Sequence, residues 1–361
     1  MTSETLEKPL IDPLLHRILS TRRCHKSKGD TDFRLWLNAY IKSLGYSPVI
    51  GVEGVITVVT DETSRTLFSC HVDTCHSMAE SDGTPQPLSF DPTMGHLTLL
   101  NKQTSGCLGA DDGAGIYIML KMLEAKVPGG YIFNTGEEKG GIGSRAFLAK
   151  SKEWLEKYHR AVAFDRADTY EVICTQGGSP CASVPAGEAL SADLTQYMET
   201  EYTVSHRGSF TDTKVFAQVI PECFNIGVGY MYQHSPQEYQ DVDHLEALVA
   251  AAIKVKWESI PTVRKCPVMP PQTEPKYPTS KSFFKGQDSL WEAGPVKVPK
   301  ASQKAQTPSL SLMEEIEGYS YDDFLALAEE EPTITADLLC LLFAKKKALQ
   351  AEVDVLTRFL S

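Results

Sequence analysis

Tyr131-Ile-Phe-Asn-Thr-Gly-Glu137-Glu138-Lys-Gly-Gly-Ile-Gly-Ser144 is an apolar run that stops at two adjacent acids and a glycine-rich turn. A short apolar run bounded by such a turn reads as a buried strand. Its neighbours repeat the pattern. Thr66-Leu-Phe-Ser-Cys-His71-Val-Asp73 is a strand (Thr66 to Cys70) ending in a His-x-Asp pair, and Ala161-Val-Ala-Phe-Asp165-Arg-Ala-Asp168 is another that meets an acid. Between the first two, Leu108-Gly-Ala-Asp111-Asp112-Gly-Ala-Gly115 runs straight into the apolar helix Ile116 to Leu123. From about Leu14 to Glu258, short apolar runs alternate with amphipathic helical stretches, the rhythm of an α/β sheet protein. Leu14 to Ser20 and Thr31 to Leu44 are expected as helices, Gly54 to Thr60 as a strand, and Leu97 to Asn101 as one arm of a hairpin.

The chain has 361 residues, of which 42% are hydrophobic, enough to bury a sizeable core in one large or two ordinary domains. A formal net charge of -12 argues against nucleic acid or an anionic membrane as the main partner, because both require a basic face. A small neutral or cationic partner fits better. No run is long enough to span a bilayer. The opening Met-Thr-Ser-Glu-Thr-Leu-Glu-Lys lacks the basic patch and apolar stretch of a secretory signal. Nine cysteines without a CxxC pair read as scattered reduced thiols, so a cytoplasmic setting is expected. Cys70 and Cys75 flank His71, and packing in the core is expected for both.

Residues 1–260 are expected to form the functional domain. Beyond Ile260 nine prolines, from Pro261 to Pro308, interrupt a polar, lysine-rich stretch that cannot sustain helix or sheet, so 261–311 reads as a flexible linker. Residues 312–361 read as a helical segment. There Leu338, Leu342, Leu349, Val353, Leu356 and Leu360 recur at helical spacing and make an apolar seam. That seam suits a hairpin covering its own domain, self-association into a homo-oligomer, or a protein partner.

Ligands in α/β proteins collect where strands end at their carboxyl termini. Five acid or histidine positions fall at such ends: His71, Asp111, Glu138, Asp165 and His234, the last in Asn225-Ile-Gly-Val-Gly-Tyr-Met-Tyr-Gln-His234-Ser-Pro. Each alone is weak. His-x-Asp tripeptides arise by accident, two acids at a helix start also serve as caps, and adjacent glutamates also serve as surface charge. Together they supply two imidazoles and three carboxylates, a set suited to two zinc-like ions sharing one carboxylate. In the Glu137-Glu138 pair one acid can bind metal while its neighbour takes a proton from water. Tyr230 and Tyr232 lie near His234 in sequence and are candidates for substrate contact or for packing.

The order of these motifs resembles the co-catalytic zinc exopeptidase superfamily. Leu108-Gly-Ala-Asp-Asp is similar to the tripeptidase T form of its motif. Asn225-Ile-Gly-Val, His234-Ser-Pro-Gln-Glu238 and Gly208-Ser-Phe-Thr-Asp212 are more similar to single-domain aminopeptidases. The resemblance covers roughly Leu14 to Lys256. It implies a three-layer α/β/α fold on a mixed sheet, and two divalent ions, zinc by ligand type, with cobalt or manganese able to take the same place. It further implies that His71 and Asp165 bind one ion, Glu138 and His234 the other, and that Asp111 bridges them. Asp73 would orient His71, Glu137 would be the general base, and the Asp111-Asp112 peptide would be cis. Two departures stand out. Gly113 occupies a position where members often carry Lys, and only about 70 residues separate Asp165 from His234, leaving no room for an inserted lid domain. The partner-subunit histidine of lidded enzymes then has no counterpart beyond His206, which reads better as a surface or structural residue. The implied reaction is hydrolysis of a terminal peptide bond, aminopeptidase-like. Deacylation of N-acyl amino acids, carboxypeptidase action, and a non-catalytic scaffold on a peptidase fold are the alternatives.

Overall fold

Alternation along the strands fixes the layers. Leu67 packs with Ile132, Ala161 and Cys223, while its neighbour Phe68 packs with Tyr131, Val162 and Phe224 in a separate cluster. Successive side chains of a strand point to opposite faces, so one sheet carries a core on each side. The computed structural model of the protein describes residues 11–267. The main sheet has eight strands in the order Val49–Ile50, Ile56–Val59, Gly130–Asn134, Thr66–His71, Arg160–Arg166, Glu222–Gly227, Glu171–Ile173, Thr203–Ser205. The inner four, Gly130–Asn134 through Glu222–Gly227, run parallel. Antiparallel pairing joins Ile56–Val59 and Glu171–Ile173 to that core, which makes the sheet mixed.

The apolar helix Ala110–Glu124 lies across the central strands on one face, backed by Pro13–Leu19 and Val242–Ala252. Ile142–Leu155 and the short Asp212–Phe216 cover the other face. The result is the expected α/β/α sandwich. Gly115 lets the central helix approach the sheet, since a Cβ there would fall 2.6 Å from the carbonyl oxygen of Phe164. The interval from Asp165 to His234 stays within the same architecture: Glu171–Ile173, Thr203–Ser205 and Glu222–Gly227 join the main sheet, Thr175–Gln176 pairs with Ser179–Pro180 in a two-stranded ribbon, Tyr230–Met231 joins a small four-stranded sheet, and the helix Val184–Thr195 packs on the main-sheet edge. No lid domain is inserted there, as the short spacing implied.

Several boundaries move. The second helix spans Lys28–Ser43, starting ahead of Thr31, because the Ser27 hydroxyl accepts the Asp30 N–H at 3.0 Å and caps it. The strand expected from Gly54 shortens to Ile56–Val59, since Val52–Gly54 makes a tight 3-10 turn first. The hairpin arm is His96–Leu99, paired antiparallel with Leu88–Asp91. Residues 261–267, placed in the linker by their prolines, carry no regular element but are tied to the domain. The Val263 and Arg264 N–H groups donate to Glu222 Oε1, and the Arg264 guanidinium donates to the carbonyls of Ala217, Ile220 and Pro221. The rest of the Pro-rich stretch and the helices expected in 312–361 lie outside the described residues.

Candidate active site

Parallel strands in register bring their carboxyl ends to one edge. His71 and Asn134 are register partners there, so the turn that follows Asn134 delivers Glu137 and Glu138 beside His71. That turn closes on left-handed glycines: Gly136 (φ 66°) and Gly141 (φ 70°) flank the two glutamates, and the Ile142 N–H returns to the Gly136 carbonyl. Asp165 stands near the end of the next strand, and Asp111 enters from the first turn of the central helix. The Asp111-Asp112 peptide is cis, as the family resemblance implied. His234 arrives from a loop with φ 60°, a conformation uncommon for a non-glycine residue.

Asp111 is the centre of the cluster. Its Oδ1 lies 2.9 Å from His71 Nε2 and its Oδ2 lies 3.0 Å from His234 Nε2. Asp165 Oδ1 is 3.5 Å from His71 Nε2, and Glu138 Oε1 is 3.0 Å from His234 Nε2. All five expected ligand candidates therefore converge, with one carboxylate facing both imidazoles. Glu137 lines the same cleft with Asp111, Asp165 and His234.

Buried hydrogen bonds hold these groups, and most were not foreseen from sequence. Glu238 is fully buried: its Oε2 accepts the N–H of Leu108 and Gly109, and its Oε1 accepts that of Asp111, at 2.8 to 2.9 Å. Asp112 accepts the His71 and Gly115 N–H groups, both at 3.0 Å. Asn225 pairs reciprocally with the Asp165 backbone, and the Tyr230 hydroxyl donates to Asp165 Oδ1 at 3.2 Å. Tyr230 thus acts from the core on a ligand candidate, whereas Tyr232 is 63% exposed. The Asp73 arrangement differs from expectation. His71 Nδ1 bonds the Asp73 main-chain carbonyl at 2.9 Å, with the carboxylate at 3.8 Å, and the carboxylate instead accepts the Glu137 N–H at 3.2 Å. Asp73 therefore positions His71 through its backbone and Glu137 through its side chain.

Three further expectations resolve on packing. A Cβ at Gly113 would fall 2.5 Å from Leu19 Cδ2 and 3.4 Å from the Arg23 guanidinium, so the space of a larger residue is already filled by a buried cation and an aliphatic chain. His206 is exposed, bonds Thr175 at 2.9 Å, and is not itself among the described residues lining the cleft. Cys70 is buried in the core as expected, but Cys75 is exposed and sits against Glu138 and His234. The core reading of Cys75 fails because the strand ends at His71 and the chain leaves the sheet, carrying position 75 beside Glu138 and His234 rather than back under the strand.

Electrostatically the cluster is short of positive charge. Burial, reinforced by the Asp111 carboxylate, pushes Asp165 up to about 6, with His71 opposing. Burial pushes Asp212 up to about 7 and Glu137 up to about 10; in both, neighbouring carboxylates add and His71 opposes. Burial works against charging His71, but Asp165 and Asp111 raise it well above the usual histidine value. Carboxylates gathered out of water repel one another unless cations join them. Donor chemistry agrees. Glu138 Oε1 is buried without a hydrogen-bond partner although His234 Nε2 is 3.0 Å away. An orphaned carboxylate oxygen, two imidazoles, and one carboxylate facing both fit two divalent cations sharing a ligand.

Fold and cluster together define an α/β/α domain with a candidate metal site at the carboxyl edge of its sheet. The sequence profile of Peptidase family M28 matches residues 55–244, more than half of the chain, and the chain belongs to that family of metallopeptidases. Among solved structures, the aminopeptidase PepT from Bacillus cereus superposes with a TM-score of 0.52 at 13% identity, covering 68% of this chain and 96% of that one. A tripeptidase from Staphylococcus aureus superposes with a TM-score of 0.51 at 13% identity, covering 67% and 95%. At that identity the likeness is one of fold. No curated protein matches the sequence. Among the described residues no helix is long and apolar enough to cross a membrane.

Proposed function

We propose that the protein is an aminopeptidase that removes residues from the amino end of short peptides, using two divalent ions, zinc by preference, and Glu137 as general base. The observation that carries this reading is Asp111, whose two carboxylate oxygens face two imidazoles at 2.9 and 3.0 Å at the mouth of a cleft that Glu137 also lines. In this reading His71 and Asp165 hold one ion, Glu138 and His234 the other, and Asp111 both. Bound there, the ions would supply Lewis-acid polarisation of the scissile carbonyl and a water of lowered pKa.

The chain's own groups do the rest. Glu137 Oε takes the proton as the water oxygen attacks the carbonyl carbon, then returns it to the amine nitrogen as the C–N bond breaks. Asp73 holds Glu137 at its N–H, so the base keeps its aim while its carboxylate changes charge. The preference for the amino end rests on charge. Among the described residues that line the cleft Arg166 is the one Arg or Lys, and it is committed to Glu171 at 2.6 Å and Asp168 at 3.3 Å. Among these described lining residues a peptide's terminal carboxylate would find no uncommitted cation, whereas an α-amine meets the acidic wall of Asp111, Glu137 and Asp165. The fold neighbours' own names, aminopeptidase and tripeptidase, agree with action at chain ends.

The test is a mixed library of short peptides with free, N-acylated or C-amidated ends, incubated with the full-length chain and zinc and read by mass spectrometry. Single residues should leave free amino ends and spare N-acylated ones. Release of acyl groups would make the protein a deacylase, and loss confined to free carboxyl ends a carboxypeptidase. No cleavage with zinc, cobalt or manganese would favour a scaffold on a peptidase fold.

A further inference from the structure

We propose that Cys75 is an additional protein ligand to the ion at Glu138 and His234, giving that position a thiolate that the His-Asp-Glu-Asp-His set does not contain. The inference rests on the two-ion reading above and adds to it. The Cys75 Sγ, a Glu138 carboxylate oxygen and a His234 ring nitrogen all lie within 4.8 Å of one another, a group separate from His71, Asp111 and Asp165. Donor atoms around a tetrahedral zinc stand roughly 3 to 4 Å apart, given metal–ligand bonds of about 2.0 to 2.3 Å, so a sulfur at this range is within reach of a shared ion.

The Glu138 side chain is 6% exposed and its Oε1 has no hydrogen-bond partner, which points the cluster at a ligand outside the protein. The backbone beside the thiol is fixed as well. The Thr74 N–H donates to the Arg23 carbonyl at 2.9 Å, and the Thr74 hydroxyl accepts the Arg23 N–H at 3.1 Å, with Arg23 itself fully buried. A residue following so tightly held a position is kept beside Glu138 and His234. Among the described cysteines Cys75 is the exposed one, while six are buried and Cys266 is intermediate.

Coordination would balance simply: the sulfur–metal bond forms as the thiol proton leaves to solvent. The two positions then differ in chemistry. The His71–Asp165 ion has only nitrogen and oxygen donors, whereas the Glu138–His234 ion gains a soft one, which favours zinc or cobalt over manganese there.

Cobalt(II) spectroscopy of the full-length chain, stripped and reloaded with cobalt alone, tests this without relying on activity. The wild type should show visible d–d bands together with a near-ultraviolet sulfur-to-cobalt charge-transfer band, and Cys75→Ser should keep the first and lose the second. In parallel, zinc should slow iodoacetamide labelling of Cys75, mapped by peptide mass, by about tenfold or more. Visible bands without the charge-transfer band, or a charge-transfer band that survives in Cys75→Ser, would overturn the thiolate ligand while leaving the two-ion reading intact. Failure to bind cobalt at all would overturn both.

Discussion

Glu137→Gln is expected to lower kcat by about 10³-fold, within the 10² to 10⁴ range that a positioned acid–base group supplies, while the metal content stays that of the wild type. The amide has the same shape as the carboxylate but cannot take the proton. The bond that aims residue 137 comes from its main-chain N–H to Asp73, so the substitution leaves the turn between Gly136 and Gly141 in place. Glu137 also lies outside both clusters of metal-ligand geometry, His71–Asp111–Asp165 and Cys75–Glu138–His234. Steady-state kinetics on a cleaved library peptide, with metal analysis of the same samples, checks the prediction. Most of the activity retained, or the metal lost, would remove Glu137 from the role of base.

The second large effect is expected at Glu238, which touches no cleft. Its carboxylate fills a cage of three amide donors, those of Leu108, Gly109 and Asp111. In Glu238→Gln the remaining oxygen can serve Leu108 and Gly109, but the new NH₂ then faces the Asp111 N–H, donor against donor in a buried site. One unsatisfied buried donor with repulsion costs about 2 to 4 kcal/mol, or roughly 5 to 15 °C in Tm for a domain of this size. Because that N–H belongs to Asp111, metal affinity should fall about 10- to 100-fold as well, as it does when groups supporting a ligand are lost. Thermal unfolding with and without zinc, and a metal competition titration, measure the two consequences. An unchanged Tm together with unchanged affinity would mean that Glu238 does not hold the helix start.

These two residues mark what sequence could and could not give. His71, Glu137, Glu138 and Asp165 were legible because each sits at or just past the end of an apolar run, which the parallel strands bring to one edge, whereas Asp111 enters from a helix start and His234 from a loop, and these two were legible through the order of the motifs. The layers were legible only through the resemblance, because Thr66–His71 is buried along its whole length and its split between two cores, Leu67 in one and Phe68 in the other, appears in the structure. Glu238 was visible only as part of the His234-Ser-Pro-Gln-Glu motif, with no duty attached, because three amide donors from about 130 residues away leave no trace in spacing. Asp73 was read through its side chain, yet it is the main-chain carbonyl that bonds His71 Nδ1, and backbone partners have no sequence signature. Cys75 was read as core from the general habit of cysteine, and only the path of the chain after His71 brings it out beside His234. The Lys28–Ser43 helix began early for a local reason that was readable, the Ser27-x-x-Asp30 cap.

The central claim, two ions held through one shared carboxylate, is tested most directly by counting metal in the full-length protein and in Asp111→Ala. Inductively coupled plasma mass spectrometry after zinc loading and dialysis should find two zinc ions per wild-type chain. The same treatment should leave the folded Asp111→Ala chain with at most one weakly held ion, because both imidazole positions lose their common ligand. A folded wild-type chain that binds no zinc, or an Asp111→Ala chain that retains two ions as firmly as the wild type, would contradict the account.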